Sequence, residues 1–63
     1  MCESNVYLKN NEKEELFMEN VVSIIPVKEN SFKLKGLLGE DKEITGKILD
    51  INLMGHKILF ESV

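Results

Sequence analysis

The sequence predicts an all-β fold: a small antiparallel β-barrel or rolled sheet of about five to six short strands, SH3-like in size and dimeric. Three observations lead there. β-favouring apolar clusters recur about every 8 to 12 residues, polar or glycine-bearing turns separate them, and no long stretch carries the 3.6-residue periodicity of an amphipathic helix. A chain of 63 residues makes one domain, 1–63. At that size only about 60% of the unfolded chain's surface is buried, so association with a second copy is the expected remedy.

Val6, Tyr7 and Leu8 form the first strand, closed by the polar run Lys9, Asn10, Asn11, Glu12 and Lys13. The chain returns through Glu14 to Met18, with Leu16 and Met18 expected on one face and Phe17 on the other. Residues 12–18 also admit a short helix, because Asn11 could cap it and Glu12, Glu14 and Glu15 suit its positive end. Val21 to Val27 reads as a strand buried on both faces, with Pro26 placing its end at an edge. Lys28, Glu29, Asn30 and Ser31 make the next turn. Phe32 and Leu34 then alternate with Lys33 and Lys35, one face buried and the other wet.

Two glycines around Leu37 and Leu38 predict a bend over Gly36 to Asp41. From Glu43 to Leu53 a further run is interrupted at Gly46, where a bulge or sharp bend belongs. Leu49, Ile51 and Leu53 alternate with Asp50 and Asn52, the pattern of a half-buried strand. Met54, Gly55 and His56 supply the last turn, and Lys57 to Glu61 the closing strand.

Composition narrows the function. The net charge is −3, and all eight basic residues are lysines. Phosphate binding scales with the positive charges available, and bidentate base reading relies on Arg, Asn and Gln, so nucleic acid is a poor partner for this surface. Lys28, Lys33 and Lys35 cannot rescue it, since Phe32 points away from the two lysines that flank it. No apolar run approaches the ~20 residues of a membrane span, and no secretory signal opens the sequence. With one cysteine no intrachain disulfide can form, and an unpaired thiol suits a reducing, cytoplasmic setting. No nucleophile motif surrounds any serine and no phosphate loop is present, so the chain is not read as an enzyme.

That one cysteine is Cys2, directly behind Met1. Removal of Met1 would leave it at the N-terminus, where amine and thiol can close a five-membered chelate ring on one metal ion. The thiolate is the ligating form, and the neighbouring ammonium favours it. His56 is the sole histidine and a possible supplementary ligand, although a polar residue is expected in its turn anyway. Glu12, Glu14 and Glu15 lack the spacing and glycine of a calcium loop and read as a solvated hairpin.

Over nearly its full length the chain resembles the CooT family, small nickel-binding accessory proteins of carbon monoxide dehydrogenase maturation. Met1-Cys2, Val6-Tyr7-Leu8, the acidic approach to Leu16-Phe17-Met18-Glu19-Asn20-Val21, the Leu38-Gly39-Glu40 bend, and Gly46-Lys47-Ile48 through His56-Lys57-Ile58 carry the resemblance. It implies a homodimer whose two Cys2 residues meet and bind one Ni(II), with delivery to a client metalloenzyme or another nickel chaperone. Two thiolates with two amine or amide nitrogens suit tetragonal Ni(II), and Zn(II) or Cu(I) would accept the same donors. Family members are also labelled predicted RNA-binding proteins, so the alternative is a small β-barrel interaction module for RNA in which Cys2 is incidental.

Overall fold

The computed structural model describes residues 3–62. Six strands follow one another, β1 (Ser4–Asn10), β2 (Lys13–Lys28), β3 (Ser31–Gly36), β4 (Asp41–Thr45), β5 (Lys47–Asn52) and β6 (Lys57–Glu61). They form one sheet in the order β4-β3-β2-β1-β6-β5. The all-β expectation holds, and so do the strand reading of Glu14 to Met18 and the break at Gly46.

The expected antiparallel barrel needs two corrections. β1 and β6 pair in parallel, from Asn5 opposite Lys57 to Lys9 opposite Glu61. The sheet is also not closed, because no ladder joins its edges β4 and β5 among the described residues. These two edge strands are nonetheless consecutive in sequence, joined by Gly46 alone. A flat sheet could not satisfy that linkage, so the sheet rolls until its outer corners touch. At the corner Gly46 N–H donates to the Asn30 carbonyl over 2.8 Å. On its other side the glycine lies against the Glu61 backbone so closely that an added Cβ would overlap the carbonyl oxygen.

The roll is made by β2, which is one strand of 16 residues rather than the two expected. Its first part pairs with β1, as far as Val21 opposite Ser4, and its second part pairs with β3. Asn20 marks the change with a φ of 56°, a left-handed conformation that asparagine tolerates better than most residues. The result is a half of four strands (the first part of β2, β1, β6 and β5) folded over a half of three. Phe32 of β3 meets Phe60 of β6 edge to face with ring centroids 5.3 Å apart, although their strands are not sheet neighbours. Around them Val6, Met18, Val21, Leu34, Ile44 and Ile58 fill the core. Each large side chain buried this way contributes about 1.5–3 kcal/mol before the entropy of ordering is subtracted.

Bulges account for the remaining departures from the expected faces. Tyr7 pairs with Leu16 and Val6 with Met18, so Phe17 is an extra residue that turns Leu16 outward and Met18 inward. A second irregularity between Ile48 and Asp50 leaves Ile48 and Ile51, rather than Leu49 and Ile51, on the core-facing side. β5 is exposed throughout rather than half-buried. Leu53 lies beyond the strand, in the turn. Val22, Ile25 and Val27 are exposed, so the second part of β2 is buried on one side only. Among the described residues that part has β3 as its sole partner, which is why Pro26, unable to donate a hydrogen bond, is accommodated there.

Candidate functional site

Cys2, the one residue singled out as a metal ligand, lies outside the described residues, and the geometry that bears on it is that of the segment it leads into. β1 starts at Ser4 in the interior of the sheet, with β2 on one side and β6 on the other. Because β6 runs parallel to β1, the β5–β6 turn stands beside this entry. Because Ser4 and Gly36 both pair with Val21, the β3–β4 turn stands there too.

A chain of hydrogen bonds ties these segments together. Asn5 N–H donates to the His56 carbonyl over 2.8 Å, Asn20 N–H donates to Asn5 Oδ1 over 3.2 Å, and Leu37 N–H donates to the Asn20 carbonyl over 2.9 Å. The β5–β6 turn is itself fixed by Asn52 Oδ1, which accepts from Gly55 N–H at 2.8 Å. His56 ends this turn with a φ of 54° and is exposed. The structure therefore brings His56 backbone to the entry of β1, which sequence spacing could not reveal because the parallel ladder joins residues more than fifty positions apart.

The two turns beside this entry carry exposed apolar side chains. Leu38 and Met54, at the tips of the two turns, are 89% and 94% exposed, and Leu37 and Leu53 stand beside them. Leu37 and Leu38 were legible as a bend and Met54 as a turn, but that both turns stand beside the start of β1 was not. Met18, the other internal methionine, is buried in the core.

The remaining candidates resolve into structural roles. Among the described residues no group of three or more His, Cys, Asp or Glu side chains is placed to hold a metal ion. Glu14 instead accepts from Lys57 Nζ at 2.9 Å, and the same ammonium lies 4.9 Å from the centre of the Tyr7 ring. The hydrogen bond and charge of Glu14 raise the Lys57 pKa above its ordinary 10.5. Phe32 packs on Phe60, while Lys33 reaches Asp41 at 3.8 Å, so Phe32 offers no stacking platform beside Lys33 and Lys35. No helix among the described residues is long and apolar enough to cross a membrane.

Comparison with known proteins agrees with this architecture. A family model described as CO dehydrogenase accessory protein CooT matches residues 1–61. An uncharacterized protein of Methanothermobacter thermautotrophicus is 39% identical over 62 residues, spanning 98% of this chain and 91% of the relative. A second uncharacterized protein, from Archaeoglobus fulgidus, is 39% identical over 44 residues, 70% of this chain and 96% of its own length. Among solved structures, a crystal structure described as "putative CooT from Carboxydothermus hydrogenoformans" superposes with a TM-score of 0.89 at 39% identity, covering 98% of both chains.

Proposed function

Because this chain belongs to the CooT family of CO dehydrogenase accessory proteins, we propose that it is a homodimeric nickel carrier that holds Ni(II) as cargo through Cys2 of each copy and passes it to the client enzyme. The observation that carries this reading is the family match over the segment that includes Met1-Cys2. The rim of exposed apolar side chains on the two turns beside the entry of β1 supports it. Leu37, Leu38, Leu53 and Met54 form the surface a second copy would cover, and covering it would set two chain entries side by side.

The chemistry follows from the donor set. With Met1 removed, each Cys2 offers a thiolate and a terminal amine, and two copies complete the four N and S donors of a tetragonal site. The described residues add no competing cluster. Covalent geometry keeps the Cys2 Cα within about 11 Å of that of Asn5. A ligand on so short a tether is delivered to the two-fold axis by the dimer and by little else. Uptake releases the thiol proton and so weakens as pH falls. Donors held by a terminus rather than a rigid cage also exchange their metal readily, which suits delivery.

The test is a nickel titration followed by calorimetry and by the thiolate-to-metal absorption. Wild-type protein should saturate near one Ni(II) per two chains. Cys2→Ala should bind none while remaining a folded dimer, and an N-terminal extension, which moves the amine away from the thiol, should weaken binding. Full nickel binding by Cys2→Ala would overturn the assignment.

A further inference from the structure

The core-facing side of the four-stranded half does not stop at β6. Ile48 pairs with Phe60 and Ile51 with Ile58, so both isoleucines lie on the side that holds the core, yet they are 41% and 52% exposed. Four strands are folded over three, and although β5 meets β4 at the Gly46 corner, nothing among the described residues buries these two side chains. The two free edges of the sheet are treated differently. β4 carries Asp41, Lys42 and Glu43, and Lys42 Nζ reaches back to the Phe17 carbonyl at 3.4 Å and to its ring at 5.3 Å. A short, charged edge of this kind resists pairing. β5 instead presents Ile48, Leu49 and Ile51 beside an edge that pairs with no strand among the described residues.

A free strand edge is a row of backbone donors and acceptors, and what it recognises is another extended chain. We propose that β5 receives an extended segment of the client protein by strand addition, the apolar side chains of that segment closing over Ile48 and Ile51. The proposal rests on the nickel-delivery reading. A second copy is the other candidate, and the topology argues against it. Antiparallel pairing of β5 with the partner's β5 would send the two β1 entries toward opposite ends of the joined sheet. Those entries would stand five strand spacings apart, about 24 Å at ~4.8 Å each, which does not bring two Cys2 residues to one metal. A second two-fold contact in addition to the rim would also link dimers into tetramers or open chains. A strand from a different chain has neither consequence.

The chemistry of that strand can be read from β5. Lys47 and Asp50 pair with Glu61 and Leu59, on the side away from the core. Like charges directly opposite one another are destabilising, so the incoming segment carries an acidic or neutral residue opposite Lys47 and a basic or neutral one opposite Asp50. Its alternate positions, facing Ile48 and Ile51, are apolar. Docking there places the client beside the β5–β6 turn, at the same end as the chain entry.

The test uses purified metal-free CO dehydrogenase, from the organism that encodes this chain, as the probe. Ile48→Lys/Ile51→Lys should bind the apoenzyme at least tenfold more weakly than wild type by biolayer interferometry, with dimer mass and nickel stoichiometry unchanged. Ile48→Thr/Ile51→Thr, which keeps strand propensity, should show the same direction of change if the lysine variant does not fold. Hydrogen exchange of the β5 amides in wild-type protein should slow when the apoenzyme is added. Undiminished affinity of the variants, no binding by wild type, or concentration-dependent protection of β5 in the chain alone would each overturn the proposal. Cys2→Ala should still bind the apoenzyme, so loss of the nickel site and loss of the docking edge are read separately.

Discussion

Gly46 tests whether the rolled sheet depends on one corner. It is buried, it links the two edge strands, and its N–H reaches Asn30 over 2.8 Å. Its φ is not in the left-handed region, so the requirement for glycine is one of space. A Cβ would overlap the Glu61 carbonyl oxygen and stand 3.1 Å from the carbonyl carbon, and backbone atoms of a paired strand cannot swing aside as a side-chain tip would. Overpacking of this kind costs about 1–3 kcal/mol, and a displaced hydrogen bond to Asn30 adds about 0.5–1.5 kcal/mol. Gly46→Ala should therefore lose about 2–4 kcal/mol, most of what a core of this size supplies, about 3–5 kcal/mol. Urea unfolding followed by far-UV circular dichroism at fixed chain concentration measures the loss. With an m-value of about 1 kcal/mol/M, the midpoint should fall by about 2 M or more. Gly39→Ala is the control, because its surroundings are open and its cost, about 1–2 kcal/mol, comes from a φ of 92° alone. A midpoint for Gly46→Ala within about 0.5 M of wild type, an effect no larger than a typical exposed substitution, would refute the corner as the closing point.

Two further outcomes are expected. Leu38→Glu/Met54→Glu places charge on the two most exposed apolar side chains of the rim; sedimentation should show monomers with an unchanged β spectrum, and an intact dimer would remove the rim from the interface. Lys57→Met should remove a stabilising effect confined to one pH range. The folded-state pKa of Lys57 is raised above 10.5, mainly by Glu14, so its contribution is complete below that value and is lost as pH rises through the raised one. The difference in melting temperature between wild type and variant should thus be level from neutral pH to about 10 and shrink above it; a difference that grows with alkalinity would contradict the sign.

Much of this fold is written locally. Alternation from Phe32 to Lys35 gave β3 and its faces, and the glycine at 46 gave the corner. The asparagines at 11 and 30 sit in their turns with φ near 60°, as turn chemistry requires. What could not be read is what depends on distant pairing. A bulge of one residue reverses every side chain beyond it, and the extra residues at Phe17 and near Leu49 did so without a local signature. The parallel ladder between β1 and β6 unites the two ends of the sequence, and no pattern within either strand announces its partner. For the site the balance is similar. The chemistry of Cys2 is legible because only a thiol beside an amine can chelate in that way, whereas the rim around the entry depends on which turns the topology brings together.

The placement of β1 gives the nickel reading its mechanical sense. A chain that entered the sheet at an edge would carry its first residues on a strand held from one side. Here Val6 and Tyr7 are paired on both sides, and Asn5 is paired with β6 and braced through its side chain to Asn20. Fraying therefore stops close to Ser4, since opening beyond it breaks ladders to two strands at once. In the proposed carrier, a ligand two residues ahead of that point would exchange metal while staying tethered to one end of the molecule. If β5 docks the client and the exposed turns pair the copies, as proposed, then pairing copies, holding the ion and meeting the acceptor would converge on one pole of the roll. Disrupting Asn5 separates them: Asn5→Ala removes the acceptor for Asn20 N–H without touching either proposed contact surface. It should leave dimer mass and apoenzyme binding intact while weakening nickel retention, and equal losses in all three would mean that the pole is held together by global stability instead.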